Sequence, residues 1–175
     1  MNDLILALES YSSRYSEEMV YRSLMLKLLE IEGENAFHRE CLVGQFTASC
    51  WLLNSKQDRF LLMHHSKLAQ WFQPGGHCDG DSNALQVAIK EAQEETGILE
   101  IVPISEDIFD LDVHFIPKRK SDHTHLHFDV RFLLKALHDD IRPNHESKDM
   151  GWFNVLNEEM NPDQALKRMY HKWKG

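Results

Sequence analysis

One stretch, Trp71 to Ile98, constrains what this chain can fold into more than any other. It reads WFQPGGHCDGDSNALQVAIKEAQEETGI: an aromatic pair, a proline-glycine turn, a polar loop and an amphipathic segment that ends at a glycine. Apolar residues recur every three or four positions in that segment, which is the period of a helix packed on a core. Ser82 or Asn83 can cap the start of the helix, and Gly97 can end it in the left-handed conformation. The stretch therefore predicts a tight turn that leads into a short helix.

Three carboxylates, Glu91, Glu94 and Glu95, fall on one side of the predicted helix. Residues three and four positions apart are neighbours on a helix surface, and like charges there repel each other by a few tenths of a kcal/mol per pair. A divalent cation would reverse that sign, because oxygen-rich clusters are what Mg²⁺, Mn²⁺ and Ca²⁺ prefer. Gly75 and Gly76 would let the backbone approach a ligand or metal closely. A solvated acidic face is the alternative, but turn, cap, apolar face and terminal glycine together favour a metal site.

The same segment resembles the Nudix box, G-x5-E-x7-R-E-U-x-E-E-x-G-U, in which U is a bulky apolar residue. Aligned on Gly76 and Gly97, the spacing is kept without a gap, and KEAQEETGI at 90–98 follows the second half of the pattern. Further similarity lies at residues 45–49 and 71–76. The resemblance covers roughly residues 40–160.

Two positions depart from the pattern of the box. Ser82 stands where the pattern has a glutamate, and Asp79 and Asp81 lie close enough in sequence to compensate for it. Lys90 stands where the pattern has an arginine, so it keeps the charge but loses the planar fork that binds a carboxylate through two hydrogen bonds. Looser orientation of the catalytic carboxylates is expected from this change, without loss of function. Ala92 is a small version of the apolar position.

The resemblance implies a Nudix-like α/β/α sandwich with a mixed β-sheet and a hydrolase that depends on Mg²⁺ or Mn²⁺. It implies Glu91 and Glu95 as direct metal ligands, Glu94 as a ligand or a base that orients water, and the Gly76 carbonyl as a further ligand. Lys90 would assist these carboxylates. The family also uses an acid outside the box, for which Glu146 is the first choice.

Asp129 and Asp112 follow as alternatives for this distal acid. His77 directly follows the glycine turn, which predicts a role near substrate. His123, His125 and His127 alternate along a predicted strand, so that all three would face one side, with His114 on a neighbouring strand. Such a row can hold Zn²⁺, but a wet face that lines a substrate cleft is favoured.

Two further groups are candidates for substrate contact. Trp71 and Phe72 could stack on a base, with packing beneath the glycine turn as the alternative. Lys118, Arg119 and Lys120 could clamp a phosphate, with a solvated turn as the alternative.

Composition narrows the range of partners. The formal net charge of −9 and the pI of about 5.6 argue against a nucleic-acid polymer or an anionic membrane as partner, and leave a small nucleotide-type substrate. Three cysteines without a CxxC pair and the absence of a basic leader indicate reduced thiols in the cytoplasm. No run of apolar residues is long enough to span a membrane. A homodimer through the N-terminal helices is left open.

The chain as a whole predicts one domain, residues 1–175, because 42% of its residues are hydrophobic and its length suits a single core. An N-terminal helical extension is expected over residues 1–35, with helices at 3–10 and 16–31. A polar linker at 36–40 leads into the core at 40–160, and a C-terminal helix follows at 161–175. The predicted strands span residues 45–53, 60–64, 67–71, 100–104, 108–116, 123–137 and 151–153.

The expected function is cleavage of a diphosphate linkage in a nucleoside diphosphate attached to another moiety, such as ADP-ribose or a nucleotide sugar. Two alternatives remain. An enzyme similar to isopentenyl-diphosphate isomerase would share the fold and would need a cysteine, for which Cys78 is the candidate. A non-catalytic nucleotide sensor would explain Ser82 and Lys90, although all three late glutamates are present.

Overall fold

The computed structural model describes residues 1–65, 70–118, 124–142 and 147–175. Four α-helices are present in this part of the chain: α1 Asn2–Ser10, α2 Ser16–Glu32, α3 Ala84–Thr96 and α4 Gln164–Lys174, with 3-10 helices at Gly33–Phe37 and Glu158–Met160. The two predicted N-terminal helices and the C-terminal helix are thus in place. None of the helices within the described residues combines the length and the apolar character that crossing a bilayer requires.

Seven strands of the described residues form one mixed sheet. They are β1 Gly44–Leu53, β2 Phe60–His65, β3 Gln70–Phe72, β4 Gly75–His77, β5 Ile101–Ile116, β6 His125–Ala136 and β7 Ser147–Phe153. The main path runs β3-β2-β1-β6-β5, while β4 pairs with β1 and β7 pairs with β2. The predicted α/β fold with a mixed sheet and packed helices is confirmed.

The parallel pair of β1 and β6 lies at the centre of the sheet. Their register runs from Gly44 opposite Leu126 to Leu53 opposite Lys135, with Thr47 opposite Asp129. Every residue of β1 is buried, as expected for a central strand covered on both faces. This register decides which side chains from distant parts of the sequence become neighbours.

Alternation along β1 separates two cores, because successive side chains of a strand point to opposite faces. Phe46 and Ala48 belong to the larger core, which also contains buried residues of α1, α2 and α3. Trp51 and Leu53 belong to a smaller core that packs against α4. On this second face, the positions before Trp51 are the polar residues Thr47 and Ser49, and a cavity takes the place of packing there.

The two ends of the chain meet at a buried ionic cluster. Glu18 of α2 is fully buried, and Lys172 of α4 donates to its Oε1 at 2.5 Å. Tyr11 Oη donates to the same oxygen at 2.6 Å. Arg168 of α4 donates two hydrogen bonds, at 2.8 and 2.9 Å, to Asp110 of β5. The N-terminal helices, α4 and β5 are therefore joined by charge as well as by apolar contact.

Two predictions of irregular structure near β1 were wrong. The expected polar linker at 36–40 starts within a 3-10 helix, where Phe37 is buried and stacks on Phe46 with ring centroids 5.1 Å apart. The expected glycine turn forms β4, in which Gly75–His77 pair with Ser49, Ala48 and Thr47 of β1. Glycine has low β-propensity, so only the pairing with β1 makes this segment a strand.

Strand boundaries also differ from the predictions. The strands expected at 100–104 and 108–116 are one strand, β5, with two register shifts against β6 between Pro103 and Asp110. The strand expected at 67–71 lies partly outside the described residues, and β3 begins at Gln70. β7 begins at Ser147, inside the loop expected at 141–149.

Candidate active site

Helix α3 carries the acidic residues on a well-defined frame. The Asn83 side chain accepts a hydrogen bond from the Gln86 amide at 3.2 Å, so Asn83, not Ser82, is the N-cap. Gly97 ends the helix with a positive φ of 70°, as predicted. Ala88 and Ala92 are fully buried on the face toward the sheet. The small side chains on that face bring the helix close to β4, because little volume separates the two backbones.

Two glutamates of α3 contact the backbone of β4. The Gly75 amide donates to Glu95 Oε2 at 3.0 Å. A β-carbon built on Gly76 would lie 2.3 Å from Glu91 Oε2, so only glycine allows this approach. Burial, followed by the charge of Glu94, raises the pKa of Glu91. Half-buried carboxylates beside a backbone segment form an oxygen-rich environment of the kind that Mg²⁺ and Mn²⁺ prefer.

Glu94 and Lys90 occupy the exposed side of α3. Lys90 Nζ lies 3.6 Å from Glu94 Oε1, and their side chains are 65% and 58% exposed. At this exposure the pair contributes little to stability. Glu95 lines the cavity and Glu91 lies against Gly76 beside it, whereas Glu94 and Lys90 face solvent.

A cavity of about 390 Å³ opens beside β4 on the face of the sheet that carries α4. Strands β1 to β6, helix α3, the residue after β3 and the residue before α4 contribute to its lining: Thr47, Ser49, Met63, Phe72, Gln73, Gly75, Gly76, His77, Glu95, Asp112, His114, His127, Asp129, Arg131 and Asp163. Its volume lies within the range of small-molecule sites. Convergent polar groups around such a cavity mark it as the candidate active site.

Asp129 of β6 is the centre of a buried polar network at the floor of this cavity. Thr47 Oγ1 donates to its Oδ1 at 3.0 Å, while Ser49 Oγ and Arg131 Nε donate to its Oδ2 at 2.7 Å. Arg131 also donates to Asp110 and Asp112 of β5, at 3.2 Å each. The fully paired carboxylate of Asp129 is therefore an anchor for the sheet register around the cavity.

Asp112 is held ionised by its neighbours. Burial acts to raise its pKa, but the hydrogen bond with His114 and the charge of Arg131 outweigh it and lower the pKa of Asp112 to about 2. His114 Nδ1 lies 3.0 Å from Asp112 Oδ2. A carboxylate with such a low pKa is a poor proton acceptor near neutral pH.

Four histidines gather at the other side of the cavity. The ring centroids of His77 and His127 are 4.7 Å apart, those of His125 and His127 are 5.0 Å apart, and those of His114 and His127 are 5.4 Å apart. Burial, followed by the neighbouring rings of His77, His114 and His125, lowers the pKa of His127 to about 3. His77, His114 and His127 line the cavity, whereas His125 does not.

Comparison with known proteins identifies the family of this chain. The sequence matches the NUDIX domain family over residues 44–173, which is most of the chain. The chain belongs to the NUDIX domain family. The resemblance seen at residues 76–98 is thereby confirmed.

A curated relative matches the chain along its whole length. It is a probable DHNTP pyrophosphohydrolase of Lactococcus lactis subsp. cremoris (strain MG1363), 24% identical over 175 residues, which are 99% of this chain and 98% of the relative. Together with the family match, this relative supports the assignment of the chain as a Nudix-type pyrophosphohydrolase, an enzyme that acts on acid anhydrides in phosphorus-containing compounds.

Solved structures show the same fold. A UDP-X diphosphatase superposes with a TM-score of 0.53 at 16% identity, over 99% of this chain and 92% of that one. A MutT protein from Methanosarcina mazei Go1 superposes with a TM-score of 0.51 at 18% identity, over 77% of this chain and 95% of that one. Both support the Nudix-like sandwich.

The polar residues in the first half of the Nudix box make contacts around the loop before α3. Ser82 Oγ accepts a hydrogen bond from the N-terminal amine of Met1 at 2.6 Å. Asp79, a predicted substitute for the missing glutamate, binds Arg39 through two hydrogen bonds at 2.5 and 3.0 Å. The Asp81 side chain accepts from the Asn83 amide at 2.8 Å. Both aspartates thus hold the loop before α3, and neither lines the cavity.

Several predicted substrate contacts lie away from the cavity or fall outside the described residues. Trp71 packs edge-on against Phe153 at 5.1 Å, beside the smaller core, and Phe72 lines the cavity instead. Arg119 and Glu146 fall outside the described residues, as does His123.

Sequence reasoning missed Thr47, Ser49, Gln73, Arg131 and Asp163 as cavity residues. One signal was available: polar His127, Asp129 and Arg131 alternate with apolar residues along β6, which marks a polar face of a central strand.

Proposed function

We propose that this Nudix protein is a hydrolase dependent on Mg²⁺ or Mn²⁺ that cleaves the diphosphate linkage of a nucleoside diphosphate attached to a second moiety. One observation carries the proposal: Glu91 and Glu95 of α3 are held against Gly75 and Gly76 beside a cavity of about 390 Å³. The oxygen donors there suit a hard cation. The cavity offers the volume for the rest of the substrate.

Each residue of the candidate site would have a distinct role in binding the cation or in orienting water. Glu91, Glu95 and the Gly76 carbonyl would hold the cation, with Glu94 as a further ligand or as the base that orients the attacking water. A bound divalent ion would neutralise the charge on the diphosphate and lower the pKa of a coordinated water. Lys90 would position Glu94 through their ion pair at 3.6 Å.

Glu146 is the proposed distal acid. Both carboxylate oxygens of Asp129 already accept hydrogen bonds from Thr47, Ser49 and Arg131. Asp112 has a pKa of about 2, so it is a poor proton acceptor near neutral pH. His77, His125, His127 and Arg119 are the proposed substrate contacts, whereas Trp71 packs against Phe153 and Phe72 lines the cavity in its place. Of these, His77 and His127 line the cavity, which supports their assignment.

A second candidate substrate is dihydroneopterin triphosphate. It rests on the relative that is a probable DHNTP pyrophosphohydrolase and matches 99% of this chain. This substrate also contains a phosphoanhydride next to a heterocycle, so the same cation site would serve. A pterin and a nucleoside differ in the ring that the cavity has to accept.

Two other functions are weakened by the site. An isomerase would need an accessible thiol, yet Cys78 is only 3% exposed, and burial raises the pKa of its thiol. A non-catalytic sensor would not need Glu91 and Glu95 beside β4.

Product release from a panel of substrates tests the proposal. The panel contains ADP-ribose, nucleotide sugars, dinucleoside polyphosphates, NADH, CoA, nucleoside triphosphates and dihydroneopterin triphosphate, each assayed with Mg²⁺, with Mn²⁺ and with chelator. We expect cleavage that depends on the metal, with a preferred member among the nucleoside diphosphate conjugates. Preference for dihydroneopterin triphosphate would select the second candidate. If no substrate of the panel is cleaved while the protein still binds metal, the isomerase or the sensor would be favoured.

Matched variants test the residue roles. Glu95→Gln is expected to lower kcat by about 100-fold or more, whereas Glu100→Gln, at an exposed position beyond the same helix, leaves the rate unchanged. A wild-type rate in Glu95→Gln would remove the metal assignment. Glu146→Gln is also expected to lower kcat by about 100-fold. A decrease in kcat of less than about threefold would reject this residue as the distal acid.

A further inference from the structure

Three histidines from two strands meet beside the cavity. His77 lies on β4, and His125 and His127 lie on β6, where a spacing of two residues puts them on one face. One ring nitrogen from each lies within 4.8 Å of the others. β1 lies between the two strands, since its Thr47 pairs with His77 and its Gln45 pairs with His127. The sheet itself therefore fixes the three backbone positions.

The separation of the nitrogens is close to that of a metal site. A tetrahedral ion bound at about 2.0–2.1 Å by each imidazole places two ligand nitrogens about 3.4 Å apart. The rings need to approach by about 1.5 Å or less, which rotation about the side-chain torsions supplies without moving the strands.

His127 supplies an independent indication of a missing partner. Its Nε2 is buried and has no hydrogen-bond partner among the residues that the structure describes. Buried polar atoms of this kind normally have a partner in the protein, in water or in an ion. A cation between the rings would satisfy this nitrogen.

The neighbours of the cluster fit a metal site. His114 lies beside His127, with ring centroids 5.4 Å apart, and its Nδ1 lies 3.0 Å from Asp112 Oδ2. His77 and His127 line the cavity, so one coordination position of an ion held here faces it.

We propose that His77, His125 and His127 form a second metal site, separate from Glu91 and Glu95, that takes Zn²⁺ or another transition-metal ion. Imidazole ligands select zinc, cobalt, nickel or copper over Mg²⁺, whereas the carboxylates of α3 select the harder ion. The open position accepts an anionic oxygen of a ligand in the cavity. His77 and His127 then reach the substrate through the ion. The site does not depend on the proposed hydrolysis.

Visible absorption of Co²⁺ tests this site directly. The full chain, stripped of metal, is titrated with Co²⁺ in excess Mg²⁺, so that Mg²⁺ occupies the carboxylates. Tetrahedral Co²⁺ absorbs far more strongly than octahedral Co²⁺, and we expect one equivalent of the strongly absorbing form, displaced by one equivalent of Zn²⁺.

Variants separate the two sites. His127→Ala and His77→Ala are each expected to weaken Co²⁺ binding by about 100-fold or more, since loss of an outer ligand partner alone costs about 10- to 100-fold. His171→Ala, at an exposed position on α4, leaves binding unchanged, and Glu95→Gln retains the Co²⁺ band even if hydrolysis is lost. Thermal unfolding without metal confirms that each variant is folded. A wild-type protein that gives no strong band, or a band that survives in both His127→Ala and His77→Ala, overturns the proposal.

Discussion

The contact between Gly76 and Glu91 leaves no room for a larger residue at position 76. A methyl group at Gly76 would lie 2.3 Å from the Glu91 carboxylate, well inside van der Waals contact. Gly76→Ala is therefore expected to displace Glu91 and to reduce metal-dependent hydrolysis by about 10-fold or more, because a shift of about 1 Å at a catalytic group has effects of this size. Mn²⁺ affinity, measured by calorimetry, should fall with it.

Gly151→Ala is the matched control for this substitution. Gly151 also lies on a strand, β7, but a β-carbon there would come no closer than 3.4 Å to the Phe153 ring. Its hydrolysis rate should match that of the wild type. Equal rates in both variants would show that Glu91 can move without consequence.

The sequence named candidates in both halves of the site, Asp129 and His127 among them, but it could relate to one another only the residues that lie close together in the chain. Glu91, Glu95 and Gly76 follow from the period of one helix and one neighbouring turn, which short-range spacing encodes. Asp129 and Ser49 are brought together by the parallel register of β1 and β6 across 80 positions. No periodicity within either strand reveals which residue of the other lies opposite.

At the scale of elements, α4 is attached to the sheet through a buried charge. Arg168 is 5% exposed and binds Asp110, which is fully buried. Arg168→Leu would leave Asp110 with only part of its compensation, and loss of one partner of a buried pair costs about 3–5 kcal/mol. We expect a decrease of that size in the free energy of unfolding, measured by urea denaturation.

The adjacent residue is the control. Lys167 pairs with Glu158 at 3.1 Å, and the Glu158 side chain is 83% exposed. Lys167→Ala should change the free energy of unfolding by less than about 1 kcal/mol. If Arg168→Leu behaved like Lys167→Ala, the buried pair would not be what attaches α4.

Elements with strong periodicity were predictable, and elements imposed by their neighbours were not. α2 and α3 have amphipathic patterns and clear end signals, so their predicted bounds lie within a few residues of those observed. β4 consists of two glycines and a histidine and is a strand only because β1 pairs with it. β5 is continuous because its register shifts absorb the polar residues between its two apolar parts.

At the scale of the whole molecule, the paired aspartates around Arg131 should make the fold sensitive to acid. The pKa of Asp112 is about 2 in the folded protein, against about 3.9 in an unfolded chain. A lowered folded pKa contributes stability that is present above the unfolded value and is lost as the pH falls through the folded value. For Asp112 this contribution is about 2–3 kcal/mol at neutral pH and disappears between about pH 5 and pH 2.

Denaturation at pH 7, 5, 4 and 3 measures this dependence. Asp112→Asn is expected to be less stable than the wild type at pH 7, and the difference should shrink as the pH falls. Asp140→Asn, at an exposed position, should follow the wild-type curve throughout. A difference between Asp112→Asn and the wild type that stays constant down to pH 3 would contradict the role of ionised Asp112.

The cluster around Glu18 has a consequence for the order in which the helices dock during synthesis. Glu18 and Lys172 are separated by 154 positions, so a ribosome adds 154 residues after Glu18 before this carboxylate can meet its ammonium partner. Until then, burial of Glu18 in its final position is unfavourable, because an unpaired charge is costly in the interior. We therefore expect α1 and α2 to dock firmly on the sheet only after α4 has been made. In that order of events, α4 is the helix that fixes α1 and α2 in place.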